Sequence, residues 1–99
     1  MNTRLSIVIP SYNRAELLKN NLLEIQSDLI EHSIGVYISD DSTDDRVTDM
    51  YRENFNSNKN IFYSKNEPGL GHDKNYFHSL SLPDTDYVWV IGDSICLKK

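Results

Sequence analysis

Four short runs rich in β-branched and aromatic residues, Leu5 to Ile9, Ile34 to Ile38, Ile61 to Tyr63 and Tyr87 to Ile91, limit what this chain can fold into. Each has the composition of a strand. The first and last are nearly continuous rather than alternating, the pattern of strands covered on both faces of a parallel sheet. The segments between the runs read as helices. Leu18, Leu22, Ile25 and Leu29 recur at helical spacing and share one face. Ser42 precedes the acid Asp45 by three residues, a spacing like that of a capping box, which predicts a second helix with Val47, Met50, Tyr51 and Phe55 on its buried side. A third helix is expected from about His72 to Leu80, with Tyr76, Phe77 and Leu80 facing inward. Strands and helices thus alternate from end to end, and right-handed crossovers predict an α/β fold of three layers, a parallel sheet between helices.

The 99 residues read as a single domain spanning 1–99. A formal net charge of −5 speaks against a nucleic-acid backbone or an anionic membrane as the main partner. No apolar run approaches the roughly 20 residues that cross a bilayer. Met1 to Arg4 lead straight into the first strand, which argues against a signal peptide. A lone cysteine, Cys96, excludes an internal disulfide and is expected to be a small buried residue, so the expected compartment is the reducing cytosol. The chain stops a few residues after its last strand-like run, and the expectation is a cut rather than a finished domain.

The polar residues collect after the strands. Ser11-Tyr12-Asn13-Arg14 follows the first, Asp40-Asp41-Ser42 the second, Asn66 through Asn75 the third, and Gly92-Asp93-Ser94 the fourth. In open parallel sheets the carboxyl edge is where ligands bind, although every strand also needs a polar exit loop. Pro10 is expected to close the first strand, because it cannot continue a ladder. Tyr12 offers an aromatic face to a base and Arg14 a charge to a phosphate; packing and solvation are their ordinary alternatives. Four carboxylates crowd residues 40–45. Asp44 and Asp45 suit a helix start, while Asp40 and Asp41 precede the turn and suit a ligand's N–H or hydroxyl donors. Gly69-Leu70-Gly71 imitates a dinucleotide fingerprint, but Lys74 holds the place of the third glycine. What remains is a turn allowing close backbone approach, with Lys74 in reach of a phosphate. His72 and His78 lack partners at metal spacing and read as surface histidines. Asp93 ends the fourth strand as an isolated carboxylate, suited to a hard cation or to an ordinary Gly-Asp turn.

Taken together, four segments resemble the amino-terminal half of the family-two nucleotide-sugar glycosyltransferases with the A-type fold. They are Ser6-Ile7-Val8-Ile9-Pro10-Ser11-Tyr12-Asn13-Arg14, Ile38-Ser39-Asp40-Asp41-Ser42-Thr43-Asp44, Asn66-Glu67-Pro68-Gly69-Leu70-Gly71-His72-Asp73-Lys74-Asn75, and Tyr87-Val88-Trp89-Val90-Ile91-Gly92-Asp93. The resemblance implies a Rossmann-like nucleotide-diphospho-sugar transferase fold, truncated here to four strands in the order 3-2-1-4. It implies a nucleotide-diphosphate-sugar donor, usually UDP-linked, and a glycan or lipid-linked acceptor at the cytoplasmic side of a membrane. Pro10 and Tyr12 would line the base pocket, Asp41 would accept from the base, and Asp40 would lie beside it. Lys74 stands where the family usually has arginine near the diphosphate, with Asn75 after it. Asp93 falls on the first acid of the family's Asp-x-Asp motif, which implies Mg²⁺ or Mn²⁺. The second acid is absent, since Ile95 holds its place. The catalytic base is expected in a carboxyl-terminal half that these residues do not include. The chain alone is therefore expected to be inactive, and its open sheet edge to favour self-association. Two rivals belong to other classes: a non-catalytic nucleotide-binding or interaction module of the same fold, and a phosphoacceptor signalling domain. The second wants its acid pair after the first strand, whereas here the pair follows the second.

Overall fold

Strands and helices alternate as β1 (Leu5–Ser11), α1 (Ala15–Glu31), β2 (Gly35–Asp40), α2 (Arg46–Asn54), β3 (Ile61–Lys65), α3 (His72–Leu80) and β4 (Tyr87–Val90). The structure is a computed structural model that describes residues 5–85 and 87–91. All strand pairs are parallel, and the order is β3-β2-β1-β4, as expected. Register places Ile7 beside Val36 and Val36 beside Ile61, with Ile9, Ile38 and Tyr63 in the next row. That face meets Leu18, Leu22 and Leu29 of α1 and Val47 and Met50 of α2, and Phe55 closes the same core. Burial of these side chains at the helical and two-residue periods supplies the main driving force for the fold. Helix α3 packs against β1 and β2. Its Asn75 reaches Ser39, which alternation turns away from the Ile38 face, so α3 forms the third layer.

Helix α1 ends by a defined device. Ser33 takes φ 55°, and Ile34 N–H donates to Leu29 C=O at 2.9 Å. This is the six-to-one bond of a Schellman stop, with apolar Ile34 folded back on the core.

Three local expectations fail. Pro10 does not close β1, which runs on to Ser11 with Pro10 opposite Ser39. Val8 C=O accepts from Ile91 on the β4 side at 3.0 Å, so Pro10, two residues on, also faces that side. The described β1–β4 pairs stop at Val8 and Val90, and the ladder asks no N–H of Pro10 there. Ser42 does not cap α2, which begins at Arg46 with Asp44 Oδ1 accepting from Arg46 N–H at 3.1 Å. Its hydroxyl is taken instead by Asn13 N–H at 2.8 Å. The buried side of α2 is as expected, with Tyr51 half-buried and stacked on Tyr63 at 5.1 Å. Helix α3 has the expected bounds but not the expected face. Asn75 and Ser79 are buried, Tyr76 and Phe77 are exposed, and Leu80 is half-buried. The strand face under α3 presents Ser39, and only a polar helix face satisfies it.

Candidate functional site

The loops after β1, β2 and β3 meet at the carboxyl edge of the sheet. Alternation sends the two neighbouring acids to opposite faces. Asp40 continues the Val36–Ile38 row, is fully buried, and faces α2. Its Oδ1 accepts from Ser42 N–H at 2.9 Å and its Oδ2 from the Tyr63 hydroxyl at 2.6 Å. With that proton directed at Asp40, the Thr48 hydroxyl donates to the Tyr63 oxygen at 2.5 Å. Asp40 is thus held from inside the fold, away from the open edge.

Burial, followed by the hydrogen bond to Asp40, raises the Tyr63 phenol above its ordinary pKa. The fold favours the neutral phenol. Its contribution to stability is intact below an unfolded pKa of about 10 and is lost as pH rises beyond it. Urea unfolding at pH 8, 10 and 11 is expected to show a steeper alkaline loss in the wild type than in Tyr63→Phe. Parallel losses would contradict the assignment.

Asp41 faces the loop that leads into α3 and is 7% exposed. Its Oδ1 accepts from Leu70 N–H at 2.7 Å and Asn66 Nδ2 at 3.1 Å, and its Oδ2 from Gly71 N–H at 3.0 Å. Gly71 lies at φ 89°, a backbone shape that suits glycine and aims successive N–H groups at one carboxylate. Asn66 also donates to Asn75 Oδ1 at 3.0 Å, while Asn75 accepts from the Ser39 hydroxyl at 2.6 Å and donates to Ser39 C=O at 3.2 Å. Asn75, expected at the donor, is therefore a sheet-facing tie. Asp41 also lines an open cavity of about 390 Å³, with Ser42, Thr43, Lys65, Asn66 and Gly69 among its walls. Lys65 bridges that wall, donating to Asp44 C=O at 2.6 Å and to Asp45 Oδ1 at 3.1 Å.

Of the other expected residues, Tyr12 is 53% exposed on the loop after β1. On one side of it, Ser11 C=O accepts from Asp41 N–H at 2.9 Å. Pro10 is half-buried near the end of β1, and Lys74 is exposed on the first turn of α3. Arg14 lines a different groove of about 590 Å³ between α1 and α2, with Lys19, Arg46, Asp49 and Glu53. Asp93 lies outside the described residues, as does Cys96. Among the described residues no three of His, Cys, Asp and Glu are placed to share a metal ion. Tyr12, Asp41 and Lys74 remain as candidates for ligand contact. Asn13, Asn66 and Tyr63 were not singled out from the sequence, because their partners lie 23 to 30 residues away.

The chemistry available is directional. A carboxylate offers about four acceptor positions, and three of Asp41's are filled by protein donors. Any further partner of this carboxylate has to bring an N–H or O–H. The exposed ring of Tyr12 offers a stacking face for a base, and Lys74, beside Asp73 on the first turn of α3, offers a charge to a phosphate.

The sequence model of Glycosyl transferase family 2 matches residues 6–95. The chain belongs to that family. It is 35% identical over 99 residues to the abequosyltransferase RfbV of Salmonella typhimurium, a match that takes in 96% of this chain and 29% of that protein. The fold is similar to that in the crystal structure of S. aureus TarS, with a TM-score of 0.68 and 22% identity, over 93% of this chain and 17% of that one. The chain thus spans less than a third of the length of the curated relative it matches. Among the described residues no helix is long and apolar enough to cross a membrane.

Proposed function

We propose that this chain is the donor-binding part of a glycosyltransferase that takes its sugar from a nucleoside-diphosphate carrier, UDP being the first expected. The observation that carries this reading is Asp41, in a family-matched segment at the carboxyl edge of the sheet, with its N–H bonded to Ser11 C=O, the residue next to the exposed Tyr12. Asp41 accepts an N–H of the base, and Tyr12 gives the base an apolar face. Lys74, on the first turn of α3, supplies positive charge to the diphosphate; unlike arginine, it does so without a bidentate fork. In an inverting displacement, the acceptor oxygen bonds to the anomeric carbon as the bond to the diphosphate oxygen breaks. The acceptor proton passes to a carboxylate outside these 99 residues. The acceptor is a glycan or lipid-linked sugar, met at the cytoplasmic face of a membrane.

Isothermal titration with UDP, CDP, GDP and ADP, each with and without Mn²⁺, tests this. Saturable binding of at least one of them is expected. Manganese dependence that disappears in Asp93→Ala would assign the ion to that carboxylate. Absence of saturable binding by every nucleotide under both conditions would overturn the proposal.

A further inference from the structure

We propose that Asn13 is a positioning residue of the nucleotide site, fixing the ring of Tyr12 relative to Asp41 by locking the loop after β1 onto the loop after β2. The proposal rests on the nucleotide reading above and says how its base platform is held. Tyr12 itself is exposed, yet the chain is tied down on both sides of it. Before it, Ser11 C=O accepts from Asp41 N–H at 2.9 Å. After it, Asn13 N–H donates to Ser42 Oγ at 2.8 Å. The Asn13 side chain then closes on Thr43: Oδ1 accepts from Thr43 N–H at 3.0 Å and from the Thr43 hydroxyl at 3.3 Å, and Nδ2 lies 3.1 Å from Thr43 Oγ1. Residues 11 and 13 are thereby stitched to residues 41, 42 and 43 in turn. Ser42 is anchored in the interior through Asp40 and Tyr63, so the stitching has a rigid base.

The choice of asparagine follows from the backbone. Residue 13 takes φ 53°, where asparagine is among the few residues with a side chain that enter readily. Glycine tolerates that φ equally well, but brings no amide to hold Thr43. The side-chain bonds are at the surface, so they contribute little to global stability. Their effect falls on where Tyr12 stands.

Asn13→Gly separates the two roles in the full chain, because it keeps the backbone conformation and the N–H to Ser42 while deleting the side-chain clamp. The same four nucleoside diphosphates are the probes. Asn13→Gly is expected to lower the affinity for the preferred one about tenfold and to shrink the preference over the weakest by a similar factor. Its melting temperature should stay close to that of the wild type. Asn13→Asp keeps an acceptor for Thr43 N–H and is expected to recover most of the affinity. Unchanged affinity and selectivity in Asn13→Gly would overturn the inference while leaving the nucleotide site standing. So would an equal loss for all four nucleotides with no rescue by Asn13→Asp. Absence of nucleotide binding by the wild type would overturn the site reading itself.

Discussion

Asp41→Ala is expected to cost about 3 kcal/mol of stability and to release the segment from Asn66 to Gly71. The variant deletes the acceptor for Leu70 N–H, Gly71 N–H and Asn66 Nδ2 together. Hydrogen bonds to an ionised group are each worth about 1.5–3 kcal/mol, and three on one carboxylate are not additive. Asp41→Asn is expected to recover only part of the loss, since its amide nitrogen opposes one of the backbone N–H groups that an oxygen now satisfies. Urea unfolding, with amide exchange followed at Leu70 and Gly71, checks both variants. A loss below about 0.5 kcal/mol, the range of ordinary surface changes, would show that the clamp does not bear on the fold. Nucleotide affinity lost in Asp41→Ala thus reports loop and base contact together, whereas Asn13→Gly leaves the loop intact.

The other large effect is expected at Asp40, where side-chain size and hydrogen bonding separate. Asp40→Ala leaves Ser42 N–H and the Tyr63 hydroxyl without their acceptor in a fully buried place. Each such orphan costs about 1–3 kcal/mol, and the relief of not burying a charge offsets part of the sum, so a net loss near 3 kcal/mol is expected. Asp40→Asn should be far milder. Its oxygen keeps the Ser42 contact, and its amide donates to Tyr63, which turns its own proton toward Thr48. The hydroxyl chain reverses, and the second amide N–H is the one donor left to find an acceptor. Equal losses in thermal or urea unfolding of the two variants would contradict this account and point to the charge itself as the stabilising element.

Local pattern suffices where a repeat alone decides which side chains meet the core. Leu18, Leu22 and Leu29 declared the inner face of α1 because helical period alone decides which side chains meet the sheet. The resemblance supplied the strand order, which periodicity leaves open. The local patterns that misled were each outcompeted by a distant partner. Ser42 had the spacing of a cap, but Asn13, 29 residues away, claimed its hydroxyl. Tyr76 and Phe77 looked like the inward face of α3, but Asn75 satisfies Ser39, 36 residues away, and turned the helix. Pro10 looked like a stop because the side to which its missing N–H points depends on a register that no single strand reveals. Asp40 continues the Val36 and Ile38 row, so strand alternation by itself places it on the core side of the sheet.

The central claim is that one nucleotide site is built from the loops after β1, β2 and β3. The most direct measurement is a titration of the ¹⁵N-labelled chain with the tightest-binding of the four nucleoside diphosphates, UDP first, followed amide by amide. The account predicts saturating shifts at Tyr12, Asn13, Asp41, Ser42, Leu70 and Gly71, with little change at Arg14, Lys19 and Arg46 in the groove between α1 and α2. Shifts confined to that groove, or none at saturating nucleotide, would contradict it.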